Sequence, residues 1–296
     1  MDFETLKTSR SNFEKLTKAI ESKLDQTENQ SKDKYTDERL WKPELDKTGN
    51  GYAVIRFLPA TKDEDMPWVR VWSHAFQDKG GWYIENSLTT LNQKDPVSEE
   101  NTRLWNTGVD SDKEIARKRK RKLSYYANIL VVSDPKHPEN EGQVKLFKFG
   151  KKIFDKIAEK MSPAFDDEKA VNPFDFWEGA NFKLKIRKVD GYWNYDKSEF
   201  EAVSKVADSD DAIKTIWEKQ YALKPFLAPD NFKTYDELKE KLIRVISGTR
   251  KTDTVENVDL PPQTNGAVKS KTVNAPDAGD DDDDTLSYFS KLAEDE

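Results

Sequence analysis

Cysteine is absent from the 296 residues. That excludes disulfides, thiolate metal sites and a cysteine nucleophile, and no oxidising compartment is needed. Histidine is nearly absent: only His74 and His137 occur, far apart in the chain. No apolar run approaches the roughly 20 residues that span a bilayer. The acidic start Met1-Asp2-Phe3-Glu4 lacks the cationic and apolar stretches of a secretion signal. The motifs G-x-x-x-x-G-K-[ST], G-x-S-x-G and H-E-x-x-H do not occur. These absences point away from an enzyme and from a membrane, and no cofactor is expected.

What is present is charge and aromatic rings. Hydrophobic residues make up 35% of the chain and charged residues another 35%, so the core must be economical. Aromatics reach 11%, with eight Trp. A polar chain this rich in rings places some of them on a working surface or spends them in the core. The net charge of −7 is unevenly spread. Residues 251–296 hold twelve acids and four bases, which leaves a net charge of +1 for residues 1–250.

Three regions follow from composition. Residues 1–39 form a basic amphipathic arm and linker. Phe3, Leu6, Phe13, Leu16, Ile20 and Leu24 recur at helical spacing, with Lys7, Arg10, Lys15, Lys18 and Lys23 between them. Such an arm docks on a partner or folds back on its own domain. Residues 40–250 form the core. Residues 251–296 form an acidic tail, expected to be disordered because it lacks the apolar periodicity that repays ordering entropy. The tail carries Asp280, Asp281, Asp282, Asp283 and Asp284, followed by Leu286, Tyr288, Phe289 and Leu292. It reads as a solubilising tail, a tethered competitor for a basic cleft, or a lure for partner proteins.

Within the core, alternation and turn residues predict strands over 52–58, 68–72, 82–84, 125–132, 144–149, 181–189 and 192–195. The stretch Asn181-Phe182-Lys183-Leu184-Lys185-Ile186-Arg187 alternates apolar and basic, so one face of that strand is expected to be positive. Helices are predicted over 151–160, 211–221 and 235–246, and the loop around His137 reads as a turn. The fold class is α+β. An OB-type β-barrel with helical insertions is the natural candidate, although strand number does not separate it from other α+β folds.

Two features carry chemistry. Arg117-Lys118-Arg119-Lys120-Arg121-Lys122 is a run of six cations. Their mutual repulsion is relieved by an anion, for which phosphates are suited, or by solvent in an exposed loop. The second feature is rings interleaved with bases: Trp82-Tyr83, Tyr125-Tyr126, Phe147-Lys148-Phe149 and Tyr192-Trp193-Asn194-Tyr195. In a strand, neighbours point to opposite faces, so one ring of a pair can be core and the other exposed. Exposed rings stack on unpaired bases, at about 1–3 kcal/mol each. No helix-turn-helix or zinc-finger pattern is present, which favours single strands over duplex. An RNA-binding protein or translational repressor, and a hub whose cations bind acidic proteins, are the competing readings.

Taken together, these segments resemble the helix-destabilising single-stranded DNA-binding protein of T-even-type bacteriophages. The resemblance rests on Gly49-Asn50-Gly51-Tyr52-Ala53-Val54-Ile55-Arg56-Phe57-Leu58-Pro59, Trp82-Tyr83-Ile84-Glu85 and Ser124-Tyr125-Tyr126-Ala127-Asn128-Ile129-Leu130-Val131-Val132. Pro138-Glu139-Asn140-Glu141-Gly142, Phe149-Gly150-Lys151-Lys152-Ile153-Phe154-Asp155-Lys156-Ile157, Trp177-Glu178-Gly179-Ala180-Asn181-Phe182 and Asn194-Tyr195-Asp196 extend it. It implies an OB-fold core with a DNA cleft, an arm that touches the neighbouring protomer on the strand and makes binding cooperative, and a tail that recruits phage replication and recombination proteins. It also implies action in the cytoplasm of an infected bacterium. By position it assigns Arg56, Lys120, Arg121, Lys122, Tyr125, Phe147, Tyr192 and Tyr195 to the cleft, and Trp105 in place of a family tyrosine. Lys7-Thr8-Ser9-Arg10-Ser11 is the nearest equivalent of the family's arm motif, with Phe13 and Leu16 beyond it.

One departure stands out. Familiar members hold a structural zinc with one His and three Cys. Here His74 remains, but the first cysteine position reads Ser87 and the last about Ser98. A lone imidazole cannot hold tetrahedral zinc, so no metal is expected. Trp68, Trp72 and Leu88 are expected to fill that subdomain instead.

Overall fold

Strand β2 (Gly51–Phe57) has its last five residues buried on both faces. A strand covered on both sides sits at the middle of a sheet. In the computed structural model, which describes residues 37–165, 167–189 and 192–248, β2 lies between β5 (Lys122–Ser133) and β7 (Ala180–Val189), antiparallel to both. The chain divides into two units, 1–41 and 42–296. Of the first, the described part holds the short strand β1 (Leu40–Trp41) and an Asp37 carboxylate that accepts hydrogen bonds from Arg39. Everything below concerns the second.

The twelve-residue β5 serves two neighbours on one edge. Its first half pairs with β3 (Trp68–Asp78), from Trp68↔Ala127 to Ser73↔Lys122. Its second half pairs with β2, from Phe57↔Ile129 to Val54↔Ser133. Its other edge carries β6 (Val144–Phe149). Beyond its pairing with β5, β3 runs on into a hairpin with β4 (Gly81–Asn86). On the far side of β2, β7 pairs with β8 (Tyr192–Asn194) and with β9 (Glu199–Val203).

Five helices complete the described chain: α1 (Pro96–Asn106), α2 (Asp110–Lys118), α3 (Lys151–Met161), α4 (Asp210–Glu218) and α5 (Tyr235–Ser247). The last three match the expected helices to within three residues at each end. Both α1 and α2 went unread, although Asp95-Pro96 is a start signal: the Asp95 side chain caps the helix and Pro96 takes its first turn. Helix α5 opens with a reciprocal Thr234/Glu237 capping box and closes on Gly248 at φ 74°.

Phe57 centres the main core. Phe147, Phe149, Phe174, Phe182 and Phe200 surround it with ring centroids 5.5–6.5 Å away. A second cluster joins Phe76, Tyr83, Leu88 and Val97 to Leu238, Leu242 and Val245 of α5. The tip of the β3–β4 hairpin is pinned to this helix, with Gly80 N–H donating to the Val245 carbonyl at 2.7 Å. A Cβ at Gly80 would fall 2.2 Å from the Arg244 carbonyl oxygen, so only glycine permits the approach.

Two expectations are corrected here. Arg56, expected to face DNA, is fully buried. It donates to the Asp175 and Ser204 carbonyls, each at 2.8 Å, and stitches β2 to the segments flanking β7 and β9. Burial pulls its guanidinium down to about 10, opposed by Asp175. Gly179 leaves room for it, since a Cβ there would meet Arg56 Nη2 at 2.6 Å. The basic stripe of β7 is the second correction. Lys183 pairs with Glu201 at 3.1 Å, Lys185 with Glu199 at 2.8 Å and Arg187 with Asp196 at 2.5 Å, so acids of β9 and its turn offset that positive face.

The substitution Arg56→Met should therefore cost at least about 2 kcal/mol, because two buried carbonyls lose their donors. Urea unfolding measures it, and a loss under about 0.5 kcal/mol, the range of ordinary surface changes, would contradict the structural role.

Candidate functional site

Cross-strand partners in an antiparallel pair share a face. The β3–β5 register therefore puts Trp68, Arg70 and Trp72 on the same side as Tyr125. This side opens into a cleft of about 580 Å³ lined by those four residues together with Met66, Thr89, Thr90, Phe154, Lys224 and Leu227, among others. One wall continues the aromatic interior. Phe154 of α3 stacks on Tyr125 at 4.1 Å and meets Trp68 edge-on at 5.3 Å. Trp72 stands half-buried with the Arg121 guanidinium 4.2 Å from its ring centre. Thr90 fixes that edge, its hydroxyl accepting from Trp72 N–H at 2.8 Å.

The opposite wall is the 3₁₀ turn Lys224–Leu227. Glu64 holds it by accepting from the backbone N–H groups of Leu223 and Lys224. Asn128 anchors the approach, donating to the Tyr221 carbonyl at 2.8 Å and accepting from its N–H at 2.9 Å. Arg70 and Lys224 are both exposed in the cleft; among the described residues neither side chain forms an ion pair. Asp65 is the exposed acid at the rim. Half-buried rings beside unpaired cations suit a ligand that is flat in places and anionic in others.

The expected site residues divide sharply. Tyr125 and, through Trp72, Arg121 come to the cleft. Tyr125 is only 5% exposed and its faces are covered by Phe154 and Phe149, so it presents an edge rather than a stacking platform. Phe147 is buried against Phe57 and Phe149. Arg119 is 7% exposed and bound to Asp78 at 2.6 Å. These two, like Arg56, are corrected from surface to interior. Tyr126 is stacked under Phe226 at 4.4 Å, with Lys148 on its ring at 5.7 Å. Arg117 and Lys118 end α2; Arg117 pairs with Glu114 and shares the Trp105 ring with Lys113. Lys120 and Lys122 are half-buried at the start of β5. Trp82, Trp105, Tyr192 and Tyr195 do not line the cleft. Lys7, Arg10, Phe13, Leu16, Asp280 to Asp284, Tyr288 and Phe289 lie outside the described residues.

Five cleft residues escaped the sequence reading as site residues: Trp68, Arg70, Trp72, Phe154 and Lys224. The alternation over 68–72 gave the strand. Which face met the cleft was set by pairing with β5, which no local pattern reveals. Trp68 and Trp72, expected to fill the metal-less subdomain, line the cleft instead; Leu88 alone of that trio is in the subdomain cluster.

At the family's zinc position stands a knot of hydrogen bonds around Asp95. Its carboxylate accepts from Ser87 Oγ, Val97 N–H and Ser98 N–H at 3.0 Å each, and from Leu88 N–H at 3.2 Å. His74 Nε2 lies 3.3 Å from Asp95 Oδ1, within ion-pair reach but off the line of a hydrogen bond. Burial raises the Asp95 carboxyl, yet His74 and the N–H and hydroxyl donors outweigh it and hold the group down at about 2. The other His74 nitrogen meets the Arg119 carbonyl at 2.9 Å, which Asn101 Nδ2 also approaches at 3.1 Å. One imidazole, one committed carboxylate and two hydroxyls do not fit a structural zinc. Among the described residues no three His, Asp or Glu side chains gather as a metal site would require.

Comparison of the sequence with known proteins identifies the family. The family described as "gp32 DNA binding protein like" matches residues 49–246. The single-stranded DNA-binding protein of Enterobacteria phage T2 is 43% identical over 219 residues, covering 71% of this chain and 70% of that protein. The protein of the same name from Enterobacteria phage T4 is also 43% identical over 219 residues, covering 71% of each. That of Enterobacteria phage RB70 is 43% identical over 94 residues.

Replacing Asp95 with Ala should destabilise the subdomain by about 3 kcal/mol, the usual loss when one partner of a buried pair is removed. EDTA should leave the melting temperature of the unaltered protein unchanged. A chelator-sensitive melt would contradict the metal-independent knot.

Proposed function

The chain belongs to the gp32-like family of DNA-binding proteins, and from that premise we propose that it binds single-stranded DNA in the cleft between β3 and the Lys224–Leu227 turn. One observation carries the reading: Trp68, Trp72 and Phe154 share a groove with Arg70 and Lys224, cations that form no ion pair among the described residues. The cations neutralise phosphates and release counterions. The rings offer surface to bases whose faces are free, which a duplex does not present. Binding is sequence-tolerant because every base has such a face. Duplex destabilisation follows by mass action, since only the open form is bound.

The wider reading rests on the same premise. An OB-type core is supported by the way β5 passes from β3 to β2 along one edge, the curl such a barrel uses. The protein is non-enzymatic, holds no zinc, and coats exposed strands during phage replication, recombination and repair in the cytoplasm of the infected host. Residues 1–39 bridge neighbouring copies and make binding cooperative. Residues 251–296 compete with DNA for the cleft and recruit replication and recombination proteins.

Oligo-dT binding followed by tryptophan fluorescence tests the site. Trp72→Ala should weaken it by about 1–3 kcal/mol, and Arg70→Ala should flatten the salt slope by about 0.7. Tyr192→Ala should bind as the unaltered chain does. Normal binding by both cleft variants would refute the assignment, and equal competition by a matched RNA would redirect it.

Two truncations test the flanks. Removing 251–296 should strengthen binding at low salt, and removing 1–20 should reduce cooperativity while sparing affinity for a short oligomer. Unchanged affinity in the first, or equal losses in the second, would count against these roles.

A further inference from the structure

Glu64 is an acid that lines the cleft read above as a site for a polyanion. Its Oε2 is buried and has no hydrogen-bond partner among the described residues. A carboxylate in this position costs the fold desolvation. It also costs the cleft part of its attraction for phosphates.

The offset lies in the other oxygen. Oε1 accepts from the backbone N–H groups of Leu223 and Lys224, the latter at 3.0 Å. These groups open the 3₁₀ turn Lys224–Leu227, whose own N-cap residue, Leu223, has no side chain able to accept. Glu64 therefore caps the turn from outside, from the loop between β2 and β3. That loop runs through Met66 into Trp68 and Arg70, and the turn carries Lys224 and Leu227; all five line the cleft. One oxygen thus ties together the two segments that deliver them. The remaining ties bear on neighbours: Phe226 stacks on Tyr126, and Asn128 grips Tyr221. Neither engages the N–H groups of Leu223 and Lys224.

We propose that Glu64 is a positioning residue for strand binding, one that sets the placement of Lys224 and Leu227 relative to Trp68 and Arg70 by capping their turn. The proposal rests on the cleft being the DNA site. Without its cap the turn samples other positions, and apparent affinity falls by the fraction of time it is out of place. The charge that makes the cap strong also repels phosphates, so removing the charge and removing the cap have opposite effects.

Oligo-dT binding at low and high salt, followed by tryptophan fluorescence, separates them. Glu64→Gln keeps an acceptor for both N–H groups and loses the charge. It should tighten binding about two- to fivefold at low salt, the scale of one charge acting over a few ångströms of water. Asp65→Asn, at an exposed rim position outside the cap, should give a similar gain. Glu64→Ala loses the cap as well. At high salt, where the charge effect is screened, it should bind about fivefold more weakly than Glu64→Gln, the scale of an ordinary lost cap. Amide exchange at Leu223 and Lys224 in the free protein should quicken in Glu64→Ala and not in Asp65→Asn. Should Glu64→Ala not fold, Glu64→Asp keeps the charge but shortens the reach, and should weaken binding at both salts. Equal affinity of the Gln and Ala variants at high salt, weaker binding by Glu64→Gln at low salt, or undiminished binding by Glu64→Asp would overturn the proposal. Trp72→Ala in the same assay identifies the cause of such a failure. If it weakens binding, the cleft stands and only the role of Glu64 is lost; if it binds normally, the cleft assignment itself has failed.

Discussion

The register of β3 against β5 is the constraint from which the site follows. With Arg70 opposite Tyr125, residues 68, 70 and 72 share the face that carries Tyr125, and residues 69 and 71 take the other face of the strand. A slip of one residue would exchange the two sets and point Val69 and Val71 at the ligand. The register is secured from both ends. Toward the tip, β3 continues into the β4 hairpin that Gly80 pins on α5. Toward the core, Trp68 is wedged between Phe154 and Phe174, each 5.3 Å away. The cleft wall is thus the outer rim of the aromatic core, and stiffness in the core is passed directly to the rings that remain accessible.

That arrangement explains what could and could not be read from residues alone. The strands announced themselves by alternation and by Gly and Pro at their ends, and α3 and α5 by apolar spacing. Alternation tells which residues share a face but not which face is buried. Phe147 and Tyr125 looked like stacking platforms beside Lys148 and Tyr126, yet Phe147 is packed against Phe57, and Tyr125, stacked on Phe154 of α3 and on Phe149, offers the cleft only an edge. Arg56 sits within an otherwise apolar strand, and its partners are backbone carbonyls more than a hundred residues away. The acids that offset β7 come from β9, a short strand with weak signals of its own. For Arg56, Tyr125 and Phe147 the deciding partner lies on another element, which no local pattern reveals; α1 alone was legible, from its Asp95-Pro96 start, and went unread.

The subdomain poses a different problem, that of bracing a small hairpin without a metal. A zinc ion ties four ligands through strong, directional bonds. Here a buried carboxylate does comparable work with weaker ones. Asp95 caps α1, holds Ser87 and the backbone of Leu88, and faces His74, while His74 reaches on to the Arg119 carbonyl. A knot of this kind is costly to half-build, since every unsatisfied member pays desolvation. The added apolar layer from α5, with Leu238, Leu242 and Val245 against Phe76 and Tyr83, supplies burial to offset that cost. The hydrogen bonds at the Arg119 carbonyl also set where the basic run leaves α2 and enters β5. The knot therefore helps aim Arg121 at Trp72.

Net charge would suggest a protein that repels nucleic acid, and the distribution of ion pairs resolves the contradiction. Across the described core many cations are matched: Lys183, Lys185 and Arg187 by β9 and its turn, Lys233 and Lys241 by Glu85, Arg103 by Glu100. Matched surface charges contribute little attraction at a distance, because their fields cancel within a Debye length of about 8–10 Å. Among the described residues Arg70 and Lys224 have no such partners, and both line a concave, partly apolar cleft that focuses their field. Attraction for a polyanion therefore depends less on how many bases the chain has than on which of them are left unmatched. In this fold unmatched cations line the same groove as the accessible rings. A ligand that satisfies both must carry phosphates and free planar faces along one flexible chain, which describes a single nucleic acid strand better than a folded protein or a duplex.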